Sequence, residues 1–274
     1  MNALRYIRSG LALCLLLLLT ACATTSTTKE GATGIDRKQF MMLSSDEVNN
    51  ASAQQYKATL AEDRKKGTLN RDPAAVERVN RVSRNLIKQV GVFRSDAPGW
   101  KWEINVESNK ELNAYCAPGG KIMVFTGLLD KLQLSDDELA AVIGHEMAHA
   151  LREHGREQMS EVYAQQMGLG LIGILAGMDS RDQALMQIAG TTLITLPHSR
   201  QHEKEADIIG LELAARAGYN PNAAITLWQK MQREGGGSGP SFLSTHPSGK
   251  DRIAELQKKI PRVMPLYEAA KNKS

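Results

Sequence analysis

Cysteine is scarce in this sequence of 274 residues, which contains three cysteines in all. Cys14 lies inside an apolar N-terminal run and Cys22 follows that run, so Cys116 has no cysteine partner in the rest of the chain. This count excludes a disulfide within the folded domain. It also excludes a zinc site built on several thiolates.

A strong excess of charge of one sign is also missing. Lys and Arg total 34 and Asp and Glu total 30, so the formal net charge is +4. Binding to nucleic-acid phosphates requires a concentrated basic face, and this dispersed balance does not supply one. We therefore expect no nucleic-acid partner.

The apolar run Gly10–Leu19 is too short to cross a bilayer, which needs about 20 helical residues. Arg5 and Arg8 precede it, as is typical of a secretory signal peptide. We predict a lipoprotein signal over residues 1–21. Its last residues, Leu-Thr-Ala, precede Cys22 and resemble the site at which a bacterial lipoprotein is cleaved and acylated. An ordinary signal peptide with a chance cysteine is the alternative.

Residues 22–39 are polar and rich in threonine, which predicts a flexible tether between the lipid on Cys22 and the folded domain. Ala23 stands where bacterial lipoproteins retained at the inner membrane carry Asp. Together these features predict a protein that is anchored by lipid to the outer membrane and faces the periplasm.

The folded domain is predicted over residues 40–265, with a tail over residues 266–274. Trp100–Val106 alternates between apolar and polar residues, which is typical of a half-buried strand. A hairpin is predicted from Leu112–Ala117 and Lys121–Thr126, which flank Pro-Gly-Gly. The fold class is α+β, with a small antiparallel sheet beside a mostly helical remainder.

Helical periodicity dominates from Leu128 onward and includes a last helix over Pro247–Ile260. The apolar runs Met167–Met178 and Ile188–Leu196 are too short and too rich in Gly and Thr to span a membrane. We predict that they are core helices, and a membrane-facing lid is the alternative.

The sequence His-Glu-Met-Ala-His begins at His145. Ser135 and Glu138 form a capping box that starts a helix ahead of it. His145 and His149 are one helical turn apart on the same face, so both imidazoles can reach one metal ion. Glu146 stands beside the metal position, where it can take a proton from an activated water.

A catalytic zinc site needs a third protein ligand. Glu203 and Asp207 lie one turn apart on a second predicted helix. We predict that Glu203 is the third ligand and that Asp207 accepts a hydrogen bond from the distal nitrogen of a ligating histidine. Small residues on both helices permit a close approach: Ala141, Gly144, Ala148, Ala206 and Gly210.

Other polar residues near these motifs are predicted to have different roles. We interpret His154 as a cation at the C-terminal end of the first helix. His198 and His202 are rival ligands that we place at the rim of the site. A solvated charged face is predicted for Lys204, Glu205 and Glu212.

Four motifs in this order resemble the HtpX and CAAX-prenyl-protease family of gluzincin metallopeptidases, in its soluble lipoprotein branch. They are N-A-Y-C-A-P-G-G at 113–120, H-E-M-A-H at 145–149, S-R-x-x-E-x-x-A-D at 199–207 and T-H-P at 245–247. The resemblance covers about residues 44–260. It implies a zincin-like fold with one zinc ion per chain, held by His145, His149 and Glu203.

The resemblance also implies roles for residues outside the two helices. His246 and Arg252 are expected to flank the scissile bond and to hold its developing oxyanion. A substrate backbone is expected to pair with the edge strand formed by Asn113, Ala114, Tyr115, Cys116 and Ala117. We interpret Cys116 as a packing residue rather than a nucleophile.

These features predict a zinc-dependent endopeptidase that cleaves misfolded or misassembled proteins of the cell envelope, outer-membrane proteins among them. Glu146 is the expected general base. A chaperone-like binding module for outer-membrane protein assembly, with a latent zinc site gated by His246, is the main alternative. A structural zinc is a further alternative, although a site of two His and one Glu leaves a coordination position open.

Overall fold

A computed structural model describes the chain in four segments, which are residues 24–170, 198–234, 242–246 and 251–272, with the backbone alone for residues 165–170. The predicted signal peptide and the acylation of Cys22 lie outside the described residues. The same holds for Ile188–Leu196 and for Met167–Met178 beyond Gly170.

The described elements form a mostly helical α+β fold, as the sequence predicts. The strands are β1 (Thr24–Thr25), β2 (Gln39–Phe40), β3 (Glu103–Glu107), β4 (Ala114–Ala117) and β5 (Lys121–Phe125). The α-helices are α1 (Ser45–Lys66), α2 (Pro73–Ile87), α3 (Thr126–Leu132), α4 (Asp136–Leu151), α5 (His154–Gly170), α6 (Arg200–Arg216), α7 (Ala223–Glu234), α8 (Phe242–Thr245) and α9 (Arg252–Lys271).

The larger sheet has the strand order β3-β5-β4. The predicted hairpin is present, with β4 antiparallel to β5 and Cys116 opposite Ile122. Strand β3 is parallel to β5, with Ile104 opposite Ile122, so the sheet is mixed rather than wholly antiparallel. The sequence pattern shows a hairpin directly but does not show on which side a third strand joins. In the observed strand order, β4 lies at an edge of the sheet.

Helix α4 runs through the centre of the fold, and every residue from Glu138 to Leu151 is buried. It packs against α2, α6, α7 and strand β4. Two capped helices precede the larger sheet: Ser44 caps α1, and Asp72 followed by Pro73 caps α2. A helix buried on all sides holds its side chains in fixed positions, so α4 is a rigid platform for the residues it carries.

Residues 24–39 pack on the domain, which corrects the prediction of a free tether over residues 22–39. Thr27 Oγ1 donates to the Arg152 carbonyl at 2.9 Å. The Ala32 N–H donates to Glu212 Oε2 at 2.8 Å. The polar composition suggested a solvated segment, but its partners are buried polar groups from distant parts of the chain. We call residues 24–40 the N-terminal strap.

The end of the chain also differs from the prediction. Helix α9 continues to Lys271, so residues 266–271 are not a separate tail. Pro261 and Pro265 lie inside this helix, although proline usually marks a helix end. Packing of Leu266 and Tyr267 on the core holds the helical turn beyond them.

Among the described helices, none combines the length and the apolar composition needed to cross a bilayer.

Candidate metal centre

Helix α4 presents two histidines on one face. The predicted capping box fixes its start, because Ser135 Oγ accepts the Glu138 N–H at 3.2 Å and Glu138 Oε2 accepts the Ser135 N–H at 2.8 Å. The Nε2 atoms of His145 and His149 lie 3.1 Å apart, and both residues are buried. The structure therefore pairs the two imidazoles as their spacing predicts.

Helix α6 brings Glu203 to these imidazoles by crossing α4 at two glycines. A Cβ on Gly210 would lie 2.7 Å from the His145 backbone nitrogen, so no larger residue fits without moving a helix. With the helices this close, Glu203 Oε2 lies 3.5 Å from the Nε2 of His145. Glu203 Oε1 lies 3.4 Å from the Nε2 of His149. Two distant helices thus supply three potential ligands.

His246, directly after α8, adds a fourth donor. Its Nδ1 lies 3.3 Å from His145 Nε2 and 3.1 Å from Glu203 Oε1. One potential ligand atom from each of His145, His149, Glu203 and His246 lies within 4.8 Å of all the others. Ligands at about 2.0–2.1 Å from a tetrahedral zinc stand about 3.3–3.4 Å apart. The five separations above run from 3.1 to 3.5 Å, with Glu203 Oε2 facing His145 and Glu203 Oε1 facing His149 and His246. The donors and their spacing therefore fit a zinc ion bound through one or both carboxylate oxygens.

The charges around the cluster also suit a cation. Burial opposes a charge on His145, but Asp207 and Glu203 outweigh burial and raise the pKa of His145 to about 9. Burial also opposes a charge on Glu203, yet the rings of His246, His145 and His149 hold its pKa far below the ordinary value. An ionised carboxylate and a locally negative field favour binding of a divalent ion.

Asp207 and Arg252 lie behind the potential ligands. Asp207 Oδ1 is 3.0 Å from His145 Nδ1, so the other ring nitrogen faces the cluster. Arg252 donates from Nε and Nη2 to Asp207, both at 2.7 Å, and its Nη1 is 2.7 Å from Glu203 Oε2. Three nitrogens of Arg252 thus bind carboxylates behind the cluster, and its expected contact with a substrate oxyanion stays a prediction. Arg252 holds Glu203 and Asp207 in place.

Glu146 lies between the cluster and a pocket. Its Oε1 is buried, has no hydrogen-bond partner among the described residues and lies 3.6 Å from His246 Nε2. Burial raises the pKa of Glu146, which moves this carboxyl group toward the range useful to a general base. The pocket is lined by Glu146, His149, His198, His246 and the strand segment 113–118. This arrangement places a proton acceptor where a bound segment would lie.

Strand β4 forms one wall of the pocket. Asn113 precedes the strand, and Ala114, Tyr115, Cys116 and Ala117 form it. Among the described strands it pairs with β5 alone, so its other edge is available for pairing. Cys116 is buried, and burial raises the pKa of its thiol well above the ordinary value. A thiol in that state is a poor nucleophile, in keeping with its interpretation as a packing residue.

A second group of buried polar residues adjoins the cluster. Several of its members were predicted to be exposed to solvent. His154, Glu205 and Glu212 have no exposed surface. His154 does not end α4 as a solvated cation; it begins α5 and lies beside His149. His202 is buried too, and its Nε2 lies 3.0 Å from Glu157 Oε2, away from the rim. His198 does line the pocket, as a rim residue would.

This group was not predicted from the sequence, because charged residues on a helix such as α6 are usually solvated. The main buried charges of this group are Arg152, Glu157 and Glu205. Arg152 binds Glu205, Arg37 of the N-terminal strap binds both glutamates, and His202 contacts Glu157. The spacing of Arg152, His154 and Glu157 after the paired histidines was the available signal. Those residues continue a pattern of ionisable side chains past the end of α4.

Comparison with known proteins places the chain in a family of peptidases. Residues 73–260 match the model of Peptidase family M48. The chain is 34% identical over 237 residues to a mitochondrial metalloendopeptidase OMA1 of Schizosaccharomyces pombe, covering 86% of this chain and 67% of that one. It is 32% identical over 246 residues to the Bos taurus metalloendopeptidase OMA1, with 85% and 46% covered. It is 27% identical over 207 residues to the beta-barrel assembly-enhancing protease of Escherichia coli, with 72% and 41% covered.

These relatives correct the predicted location. The two OMA1 relatives are named as mitochondrial enzymes, and both are more similar to this chain than the bacterial protease is. The expectation of a bacterial outer-membrane protein facing the periplasm is therefore wrong. The N-terminal residues that suggested it, 1–23, lie outside the described structure.

The chain spans between 41% and 67% of the length of these three relatives. The matched region contains both ligand-bearing helices, the edge strand and His246. The chain therefore belongs to Peptidase family M48, and its site is that of a metalloendopeptidase.

Proposed function

We propose that this protein is a zinc-dependent endopeptidase whose substrates are unfolded or misassembled proteins. The observation that carries the proposal is the meeting of His145, His149 and Glu203 from two helices, with Glu146 directly beside them. Two neutral imidazoles and a carboxylate are the donor set of a hydrolytic zinc site.

A bound zinc ion supplies Lewis-acid polarisation and lowers the pKa of water. The protein residues supply the proton transfers. Glu146 takes a proton from the attacking water and returns it to the leaving amine. Asp207 and Arg252 keep His145 and Glu203 in position during this cycle, so the site does not reorganise as charge develops.

The edge strand β4 supports a substrate in extended conformation. A polypeptide that pairs with the free edge of β4 places its backbone along the pocket, next to Glu146. Backbone pairing does not depend on the substrate's side chains. It requires an unpaired segment, which an unfolded protein exposes and a folded one conceals.

Replacement Glu146→Gln tests the general-base assignment. We expect zinc content to stay near one ion per chain, because Glu146 is not a ligand, while cleavage falls by at least about 100-fold. Zinc is measured by elemental analysis, and cleavage is measured on a permanently unfolded protein and on the same protein folded. Cleavage of the unfolded form alone supports the proposed substrate class.

Glu77→Gln is the matched control, since Glu77 is an exposed carboxylate on α2. It is expected to keep wild-type zinc content and activity. Undiminished cleavage by the Glu146→Gln variant contradicts the mechanism. Wild-type protein without zinc contradicts the proposed metal centre.

His246 supports a second candidate function, a binding module with a latent zinc site. Its Nδ1 occupies the fourth position of the cluster, which hydrolysis requires to be open to water. A latent site predicts that His246→Ala raises cleavage of an unfolded protein above the wild-type rate. If His246 instead assists hydrolysis, the same variant lowers that rate.

A further inference from the structure

His149 has a second ring nitrogen that faces away from the cluster. While Nε2 points at His145 and Glu203, Nδ1 lies 3.0 Å from the Nδ1 of His154. A metal-binding imidazole must keep its ligating nitrogen free of hydrogen, so its other nitrogen carries the hydrogen and needs an acceptor. His154 is the acceptor that the structure provides.

His154 in turn needs an acceptor for the hydrogen on its other ring nitrogen, and Glu205 supplies that acceptor. The Nε2 of His154 lies 3.1 Å from Glu205 Oε2, and neither residue has exposed surface. A carboxylate only accepts hydrogen bonds, so the hydrogen of neutral His154 resides on Nε2. The Nδ1 of His154 is then bare and accepts from His149. One arrangement of hydrogens therefore satisfies all three residues and leaves His149 Nε2 free to bind a metal.

Glu205 is held in its ionised, accepting state by cations. Arg152 donates from Nε to Glu205 Oε2 at 3.0 Å, and Arg37 donates from Nε to Oε1 at 2.5 Å. Gln201 adds a donor to Oε1 at 2.8 Å. These contacts fix the carboxylate in position, so the acceptor offered to His154 is fixed as well.

The backbone turns back on itself to bring His154 to this place. Glu153, between α4 and α5, has a φ of 53°, in the left-handed region that non-glycine residues rarely adopt. Glu153 is held there by Ser45, whose Oγ donates to it at 2.7 Å, and by Arg156 at 2.9 Å. This turn directs the first residue of α5 toward a potential ligand on α4.

We propose that His154 and Glu205 are positioning residues that orient His149 for zinc binding. Their role parallels that of Asp207 and Arg252 toward His145. The inference rests on the proposed zinc site. It means that buried charged residues outside that site contribute to the affinity for zinc and to the geometry of the bound ion.

The test compares the zinc dissociation constants of purified full-length variants by competition with a chromophoric chelator. His154→Phe keeps a ring of similar size but offers no acceptor, and we expect zinc to bind about 10–100-fold more weakly. His154→Gln supplies an acceptor oxygen and is expected to recover part of the loss. Glu205→Gln retains hydrogen bonding but loses the charge, and an intermediate loss is expected.

His202→Phe is the matched control. His202 is a buried histidine stacked on His154, with ring centroids 4.3 Å apart, but the acceptor beside its Nε2 is Glu157. Thermal unfolding of each apoprotein shows whether a variant has lost its fold. We expect His202→Phe to lower the unfolding temperature of the apoprotein. The zinc dissociation constant of the folded variant is expected to stay at the wild-type value.

Two results overturn the proposal: wild-type zinc affinity in both folded His154→Phe and folded Glu205→Gln, or equal losses in His154→Phe and His202→Phe. Failure of wild-type protein to bind zinc is a different result, which refutes the proposed metal centre itself. The absorption spectrum of the cobalt-substituted protein gives a second readout. A shift of its bands in His154→Phe, absent in His202→Phe, supports a changed orientation of His149.

Discussion

Single residues behind the cluster fix the orientation of the potential ligand side chains. Arg252 is such a residue, because its guanidinium spans Asp207 and Glu203 while its face packs on the Trp228 ring at 3.7 Å. Binding of both carboxylates, with the cation–π contact, fixes Glu203 without direct contact between Arg252 and a metal. The family resemblance alone suggested a role of Arg252 at the oxyanion, and the contacts in the structure add this positioning role.

Replacement Arg252→Met separates these two roles. It leaves Asp207 and Glu203 buried without their shared cation, so we expect zinc to dissociate about 10–100-fold more readily. The measurement is a chelator competition, run together with cleavage assays at saturating zinc. Arg216→Met, which removes an ion pair with Glu212 within α6, is the control and is expected to keep zinc affinity. Unchanged zinc affinity with a lower turnover number for Arg252→Met contradicts the positioning role.

Among the elements, the crossing of α4 and α6 determines whether a metal centre exists at all. Both helices are buried along most of their length, and they meet at Gly144 and Gly210. Any side chain at the crossing moves the axes apart, since helices separated by ordinary side chains stand about 8–10 Å from each other. Glu203 lies about two turns from Gly210 on the same helix, so a shift at the crossing moves this ligand.

Replacement Gly210→Ala is therefore expected to weaken both stability and zinc binding. The added Cβ meets backbone atoms of Gly144 and His145 within 3 Å, and such overpacking costs about 1–3 kcal/mol. The free energy of unfolding is measured with urea and the zinc affinity by competition. Gly99→Ala, where a Cβ meets nothing within 4 Å, is the control and stays within about 0.5 kcal/mol of wild type. Tight zinc binding by Gly210→Ala contradicts the importance of this crossing.

For the molecule as a whole, buried charge ties the N-terminal strap to the helices. Arg37 binds Glu157 and Glu205, and Gln39 donates to Glu157. Burial alone would raise the pKa of Glu157, but hydrogen bonds from Arg37, His202 and Gln39 outweigh burial and hold this pKa below its ordinary value. The unfolded chain thus binds the Glu157 proton at a higher pH than the folded chain does.

This difference predicts that acid destabilises the protein. The contribution of Glu157 is present above the pKa of an unfolded Glu, about 4.3, and is lost as the pH falls below it toward the folded pKa. Glu157→Gln removes this contribution, so the free energy of unfolding should vary less between about pH 5 and pH 3 than in wild type. Urea unfolding at a series of pH values measures it. Glu62→Gln, in an exposed pair with Lys66, is expected to keep the wild-type slope.

Much of the site follows from local pattern. The capping box at Ser135, the one-turn spacing of His145 and His149, and the small residues of α4 and α6 are properties of neighbouring positions in the chain. Helical periodicity converts each of them directly into a face or a terminus. Glu203 was predictable for the same reason, because its helix carried a matching stripe of small residues.

What the chain's own pattern determined was therefore the start of α4, the two rings on one face and the carboxylate on a second helix. Only the tertiary structure decided that residues 24–40 pack as a strap, that α9 runs through two prolines and that His154 and Glu205 stand behind His149. The physical reason is that burial of a charged or polar residue depends on partners far away in sequence. The sequence pattern alone predicts that Glu205 is solvated. In the fold it is paired with Arg37 and Arg152, which are about 170 and 50 residues away in the chain.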